Sequence, residues 1–144
     1  MNNEQRDLAK GSVARRVRSV LFLLPAWFAP HKALRVLFHR LRGVSIGRNV
    51  EIGYYCIIGN VHPQRIHIEE NAVITANCVI LEHDNSFYYT GEGDVIVGDV
   101  YIRKNSFVGI GSVIMPGVEI GEHSIVGALS FVKESVPSYH IVAG

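Results

Sequence analysis

Val108-Gly109-Ile110-Gly111-Ser112-Val113-Ile114-Met115-Pro116-Gly117-Val118-Glu119-Ile120-Gly121 places an aliphatic residue at every sixth position, and the chain continues that count in both directions. The series runs Ile46, Ile52, Ile58, then Ile68, Ile74, Ile80, then Ile96, Ile102, Val108, Ile114, Ile120, Val126 and Val132. Four residues later come mostly small or β-branched side chains, among them Val50, Cys56, Ala72, Cys78, Ser106, Ser112, Ser124 and Ser130. A period of six fits neither an α-helix nor a long strand. It fits short strands joined by tight corners, three to a coil, in a parallel β-helix. The aliphatic residue then fills a narrow interior and the small one a crowded corner. Glycine, which follows the aliphatic residue at Gly47, Gly53, Gly59, Gly109, Gly121 and Gly127, relieves crowding where coils stack at the ~4.8 Å strand spacing.

The composition agrees. At 144 residues, 48% hydrophobic and 19% charged, the chain is folded and long enough for one core, not two. Its 14 glycines accompany only 5 prolines, so the excess is periodic and not linker-like. Cys56 and Cys78 form neither a CxxC nor a Cys/His cluster, which points to small interior side chains in a reduced compartment. The net charge of +1 conceals an asymmetry: residues 1–43 carry nine Lys/Arg against two acids, and residues 44–144 five against eleven. Two units are expected, a basic amphipathic helical segment over 1–43 and the β-helix over 44–144.

In the basic segment, Val13, Val17, Leu21 and Leu24, then Leu34, Leu37, Phe38 and Leu41, recur at helical steps. Pro25 and Pro30 predict two short helices around a kink. The uncharged run from Ser19 to His31 is too short to span a bilayer, and no small-residue cleavage site follows it. Two roles fit: a segment lying on an anionic membrane face, or a cap over the open end of the β-helix. Nucleic-acid binding is disfavoured because the β-helix part is acidic.

The register breaks twice, at Val61-His62-Pro63-Gln64-Arg65 and from about Leu81 to Val95. The second break is rich in polar and aromatic residues, and a long excursion from a rigid scaffold is where function is sought.

With His83 placed just after the Ile74 to Ile80 rung, and with Val126-Gly127-Ala128-Leu129-Ser130-Phe131-Val132-Lys133 following the stretch quoted first, the sequence from Gly43 to Gly144 resembles the hexapeptide-repeat acyltransferases. The likeness is to the maltose, galactoside and polysaccharide O-acetyltransferase branch. It implies an all-β, left-handed parallel β-helix and a cytoplasmic homotrimer with its site between two subunits. It also implies direct acetyl transfer from acetyl-CoA to a hydroxyl of a sugar or surface-polysaccharide precursor, with no metal. His83 would be the general base, an effect typically worth ~10² to 10⁴ in rate. A backbone N–H near Gly109-Ile110 would meet the developing oxyanion. Gly109, Ile110, Gly111, Ala128 and Ser130 would line the coenzyme arm, with Lys133 near its phosphates. Asp84 and Tyr88 are the candidate acceptor contacts; Glu82 either orients His83 or forms the turn, and Phe87, Tyr88 and Tyr89 either stack on a sugar or pack the loop. Amino-sugar or serine N- or O-acetylation, and a silent scaffold, are the alternatives. The chain departs from the family at Leu129, where a glycine is usual, at Phe107, often Trp, and at Ile141-Val142-Ala143-Gly144, where relatives continue, so the coenzyme end is abbreviated or cut short. A zinc site on His62, His67 and His123 is disfavoured by the spacing.

Overall fold

A computed structural model describes residues 13–144. Helices α1 (Val13–Leu21), α2 (Leu23–Phe28) and α3 (Lys32–Arg42) open it. Three parallel sheets follow. The first face stacks β1 (Ser45–Ile46), β4 (Ile66–Ile68), β9 (Val100–Ile102) and β12 (Glu119–Ile120). The second stacks β2 (Glu51–Ile52), β5 (Val73–Ile74), β10 (Phe107–Val108), β13 (Ile125–Val126) and β15 (Ile141–Val142), and the third β3 (Ile57–Ile58), β6 (Val79–Ile80), β11 (Val113–Ile114) and β14 (Phe131–Val132). Consecutive strands thus visit the three faces in turn and each pairs with the coil above, Ile52 opposite Ile74 and Ile74 opposite Val108. The architecture is a left-handed parallel β-helix.

The interior is the one the period predicts. Ile52, Ile58, Ile74, Ile80, Ile102, Ile114 and Ile120 are almost fully buried, and so are Cys56, Ala72, Cys78, Ser106, Ser112 and Ser124 at the small positions. Ile96 departs from it. It is exposed and pairs antiparallel with Asp84, in a hairpin of β7 (His83–Asp84) and β8 (Ile96–Val97) that stands off the coil. The third run therefore enters the core at Val100 and Ile102, the first of them three residues beyond the end of the excursion's hairpin. At Gly53 and Gly109 a Cβ would meet the backbone nitrogens of Ala76 and Ala128 at 2.4 and 2.5 Å, so glycine is set there by the coil above. Corners impose a second pattern: Asn49, Tyr55, Asn71, Asn77, Asn105, His123 and Leu129 all take the left-handed conformation, which Asn tolerates better than most side chains.

The helical segment differs from its expected form. Pro25 does not break a helix, since it is the third residue of α2, where its missing N–H has no intrahelical partner to lose. The breaks fall at Phe22 and at Ala29, whose extended ψ of 128° is what a following proline demands. Among the described residues no helix is long and apolar enough to cross a membrane.

Helix α3 closes the open end of the first coil. Its N-cap His31 accepts from the Ala33 N–H, and Gly43 ends it at φ 117°. Three arginines then reach one face each. Arg40 donates to the carbonyls of Ile46 and Gly47, Arg35 to that of Ile52, and Arg42 to those of Ile58 and Gly59. Unpaired carbonyls on a buried edge are costly, and guanidinium forks satisfy them. Arg35 also lies 4.0 Å over the Tyr54 ring.

Candidate functional site

Both register breaks emerge at the corner between the third and first faces, one coil apart. From β6 the chain runs on through Leu81 and Glu82, and Glu82 shares the inward parity of Cys78 and Ile80. An inward acid must be paired. Glu82 is fully buried, and its Oε1 accepts from the N–H groups of Val61 at 2.9 Å and His62 at 2.8 Å, both in the loop of the coil below. The same oxygen lies 3.1 Å from His83 Nδ1. Burial alone would raise this carboxyl, but the bonds from His83 and from the His62 and Val61 N–H groups hold it down at about 2, so it is ionised.

That hydrogen bond raises His83 above its ordinary value, against the opposing effect of burial, with further help from the charges of Glu82 and Asp84. With Nδ1 turned to Glu82, Nε2 is the ring atom left for a ligand, and the side chain is 24% exposed. Asp84 is spent locally: its Oδ1 accepts from the Ser86 N–H and starts the short helix α4 (Ser86–Thr90). Phe87, Tyr88 and Tyr89 on that helix are exposed, with Tyr88 and Tyr89 edge to face at 5.6 Å. His83, Asp84 and Tyr88 therefore lie on one excursion.

Most of the expected coenzyme residues lie elsewhere on the prism. Gly109, Ile110, Gly111 and Ala128 form the corner between the second and third faces, whereas His83 stands at the corner between the third and first. At that second corner the N–H groups of Gly109 and Gly111 donate to Val126 O and Ala76 O, which leaves the Ile110 N–H as the donor. Ile110 and Ala128 are exposed; Ser130 is buried, its hydroxyl bonded to Gly127 O at 2.7 Å. Lys133 is exposed at the third-to-first corner, in a shallow pocket with Phe131, Glu134 and Val142. One chain thus sets Lys133 on the base's corner but leaves the other expected coenzyme contacts on another.

Sequence reasoning left Glu82 undecided, although its parity with Ile80 was the available signal. It missed Arg42 and His62, because nothing in the six-residue count marks which loop lies beneath another. His62, His67 and His123 sit apart: the first is buried in the loop, the second stacks on Tyr101 and the third on Tyr139.

Known proteins share this fold. The bacterial transferase hexapeptide (six repeats) profile matches residues 99–134, and that of the hexapeptide repeat of succinyl-transferase matches 43–82, together more than half of the chain. No curated protein matches significantly. Among solved structures, a maltose O-acetyltransferase from Clostridium difficile 630 superposes with a TM-score of 0.66 at 19% identity, over 95% of this chain and 83% of its own. A hexapeptide-repeat acetyltransferase from Vibrio cholerae O1 biovar eltor, complexed with acetyl coenzyme A, gives 0.66 at 20% identity over 94% and 86%. A mutant N-acyltransferase from Bacillus cereus, in complex with dTDP and coenzyme A, gives 0.57 at 27% identity over 71% and 69%. The chain belongs to the hexapeptide-repeat acyltransferases.

Proposed function

We propose that the protein is an acetyl-CoA-dependent O-acetyltransferase acting on a sugar or bacterial surface-polysaccharide precursor, with His83 as general base. The observation that carries this is the buried Glu82 carboxylate bonded to Nδ1 of a part-exposed His83, which leaves Nε2 as the ring atom for a ligand at the start of the excursion that carries Asp84 and Tyr88. Nε2 takes the acceptor O–H proton as that oxygen attacks the thioester carbonyl carbon. The tetrahedral oxyanion is met by the Ile110 N–H. The C–S bond then breaks, and the coenzyme thiolate leaves with the proton returned from Nε2. Glu82 stabilises the imidazolium between the two steps.

Because His83 and Ile110 occupy different corners, the site is completed by a neighbouring copy in a homotrimer. Lys133 meets the coenzyme phosphates, while Gly109, Gly111 and Ala128 admit its arm; Ser130 acts only by shaping that corner. The helical cap is proposed to rest on the inner membrane face. The Bacillus cereus enzyme supports a second reading, transfer to an amine of an amino sugar. Thiol release from acetyl-CoA should be measured with wild type and His83→Ala across simple sugars, nucleotide sugars, amino sugars, serine and isolated surface polysaccharide. Acceptor-dependent release is expected, falling by ~10² or more in His83→Ala while acetyl-CoA still binds. Undiminished turnover removes His83 from the mechanism, and product analysis separates ester from amide.

A further inference from the structure

The first coil is longer than the regular ones: Ile46 pairs with Ile68, 22 residues on, whereas Ile102 pairs with Ile120, 18 residues on. Its extra residues form the loop after β3, with a short 3-10 turn at Pro63–Arg65. Packing of the core does not call for this loop, yet it is held from two sides. From above, Glu82 is gripped by the Val61 and His62 N–H groups. From below, the fully buried Arg42 at the end of α3 donates Nη1 to Ile58 O at 3.0 Å and Nη2 to Gly59 O and Asn60 Oδ1, each at 3.2 Å. Arg42 is itself fixed by Ser19 O at 3.2 Å and by His39 Nδ1 at 3.0 Å.

We propose that Arg42 and the loop Gly59–His62 are a positioning device for the base, through which the helical cap, far from any substrate, fixes the Glu82 carboxylate and so the orientation of His83. The proposal rests on His83 being that base. The links are hydrogen bonds from helix to Arg42, from Arg42 to the strand end and Asn60, and from the Val61 and His62 N–H groups to one carboxylate oxygen that also holds the imidazole, with the short backbone run from Gly59 to His62 joining them. Two adjacent backbone N–H groups aimed at one oxygen fix a carboxylate more sharply than a side chain does, because neither can rotate away. His83 is faced by Glu82 and Asp84, and His62 by Glu82, His83, Arg65 and Arg16. Burial holds His62 below its ordinary value, so the proton that Glu82 attracts goes to His83. Arg42 faces His39 and Glu82; burial lowers it to about 10, which leaves it charged at neutral pH.

The test is the titration of His83, followed by histidine-ring NMR of the full chain in wild type, Glu82→Gln, Arg42→Lys, Asn60→Ala and the Glu82→Gln/Arg42→Lys double variant. Lysine keeps the charge and loses the fork, so any change reports geometry. In Glu82→Gln the midpoint is expected to fall by about one unit, because a lost anionic partner removes what favoured the protonated ring. Arg42→Lys and Asn60→Ala should move it the same way by less. Arg42→Lys should add nothing once Glu82 is Gln, since it acts through that residue. In a thiol-release assay the acid limb of kcat/KM should follow the NMR midpoint to lower pH. A fall in melting temperature with His83's midpoint unmoved overturns the proposal and makes Arg42 structural. Should Arg42→Lys not fold, the exposed Asn60→Ala decides, and an unmoved midpoint there overturns it equally. Full turnover in His83→Ala is the distinct result that overturns the base assignment itself.

Discussion

Leu129 takes a φ of 60° at the corner where the earlier coils place Tyr55, Asn77 and Gly111, and its side chain lies largely in solvent over Gly111. A left-handed leucine costs about 1–2 kcal/mol, and a glycine would return part of the gain as unfolded-chain entropy. Leu129→Gly is therefore expected to stabilise the fold by about 0.5–1 kcal/mol in urea unfolding. A lower midpoint would show that the contact over Gly111 outweighs the strain. The sequence marked Leu129 as a departure but not as a strained one. Inward positions such as Ile74 and Cys78 were legible because interior volume repeats every six residues. The corner pattern of Asn49, Asn71, Asn77 and Asn105 was not legible in the six-residue count, since it lies in backbone conformation and not in hydrophobicity. Glu82 was half legible: its parity turns it inward, but its partners come from a coil 20 residues earlier.

Among the elements, the cap changes most in meaning between sequence and structure. Its basic residues counted as a face for anionic lipid, yet Arg35, Arg40 and Arg42 turn inward to the first coil, and Lys32 pairs with Glu51. What faces outward is largely apolar: Val17, Val20, Leu21, Leu24 and Phe28 are all more than half exposed. Charge alone could not tell these fates apart, because a guanidinium serves a carbonyl or a phosphate equally well. If the cap rests on a bilayer, burial of that stripe dominates the binding. Flotation with phosphatidylglycerol vesicles should then carry wild type at 0.5 M salt as well as at low salt, and Val20→Asp/Leu24→Asp should stay behind. Flotation that salt abolishes would return the interaction to charge, and none at any salt would remove the membrane from the reading.

For the molecule as a whole, the three faces are unlike. The first presents Ser45, His67, Tyr101 and Glu119 outward, whereas beyond Glu51 the second presents Val73, Phe107, Ile125 and Ile141, and the third presents Ile57, Val79, Val113 and Phe131. Two apolar outer faces meeting at the Ile110 and Leu129 corner favour self-association there. Sedimentation equilibrium should give about three times the 16.0 kDa chain mass. A single-chain mass persisting at micromolar concentration would leave His83 and Ile110 in no common site.

The arginines of α3 have one more effect. A β-helix adds coils by edge pairing, and a bare terminal coil is a template on which a second molecule can grow end to end. Here the carbonyls of Ile46, Gly47, Ile52, Ile58 and Gly59 already have donors, one guanidinium to each face. An incoming strand finds these acceptors already taken, so the cap also works against end-to-end growth of the stack into a filament.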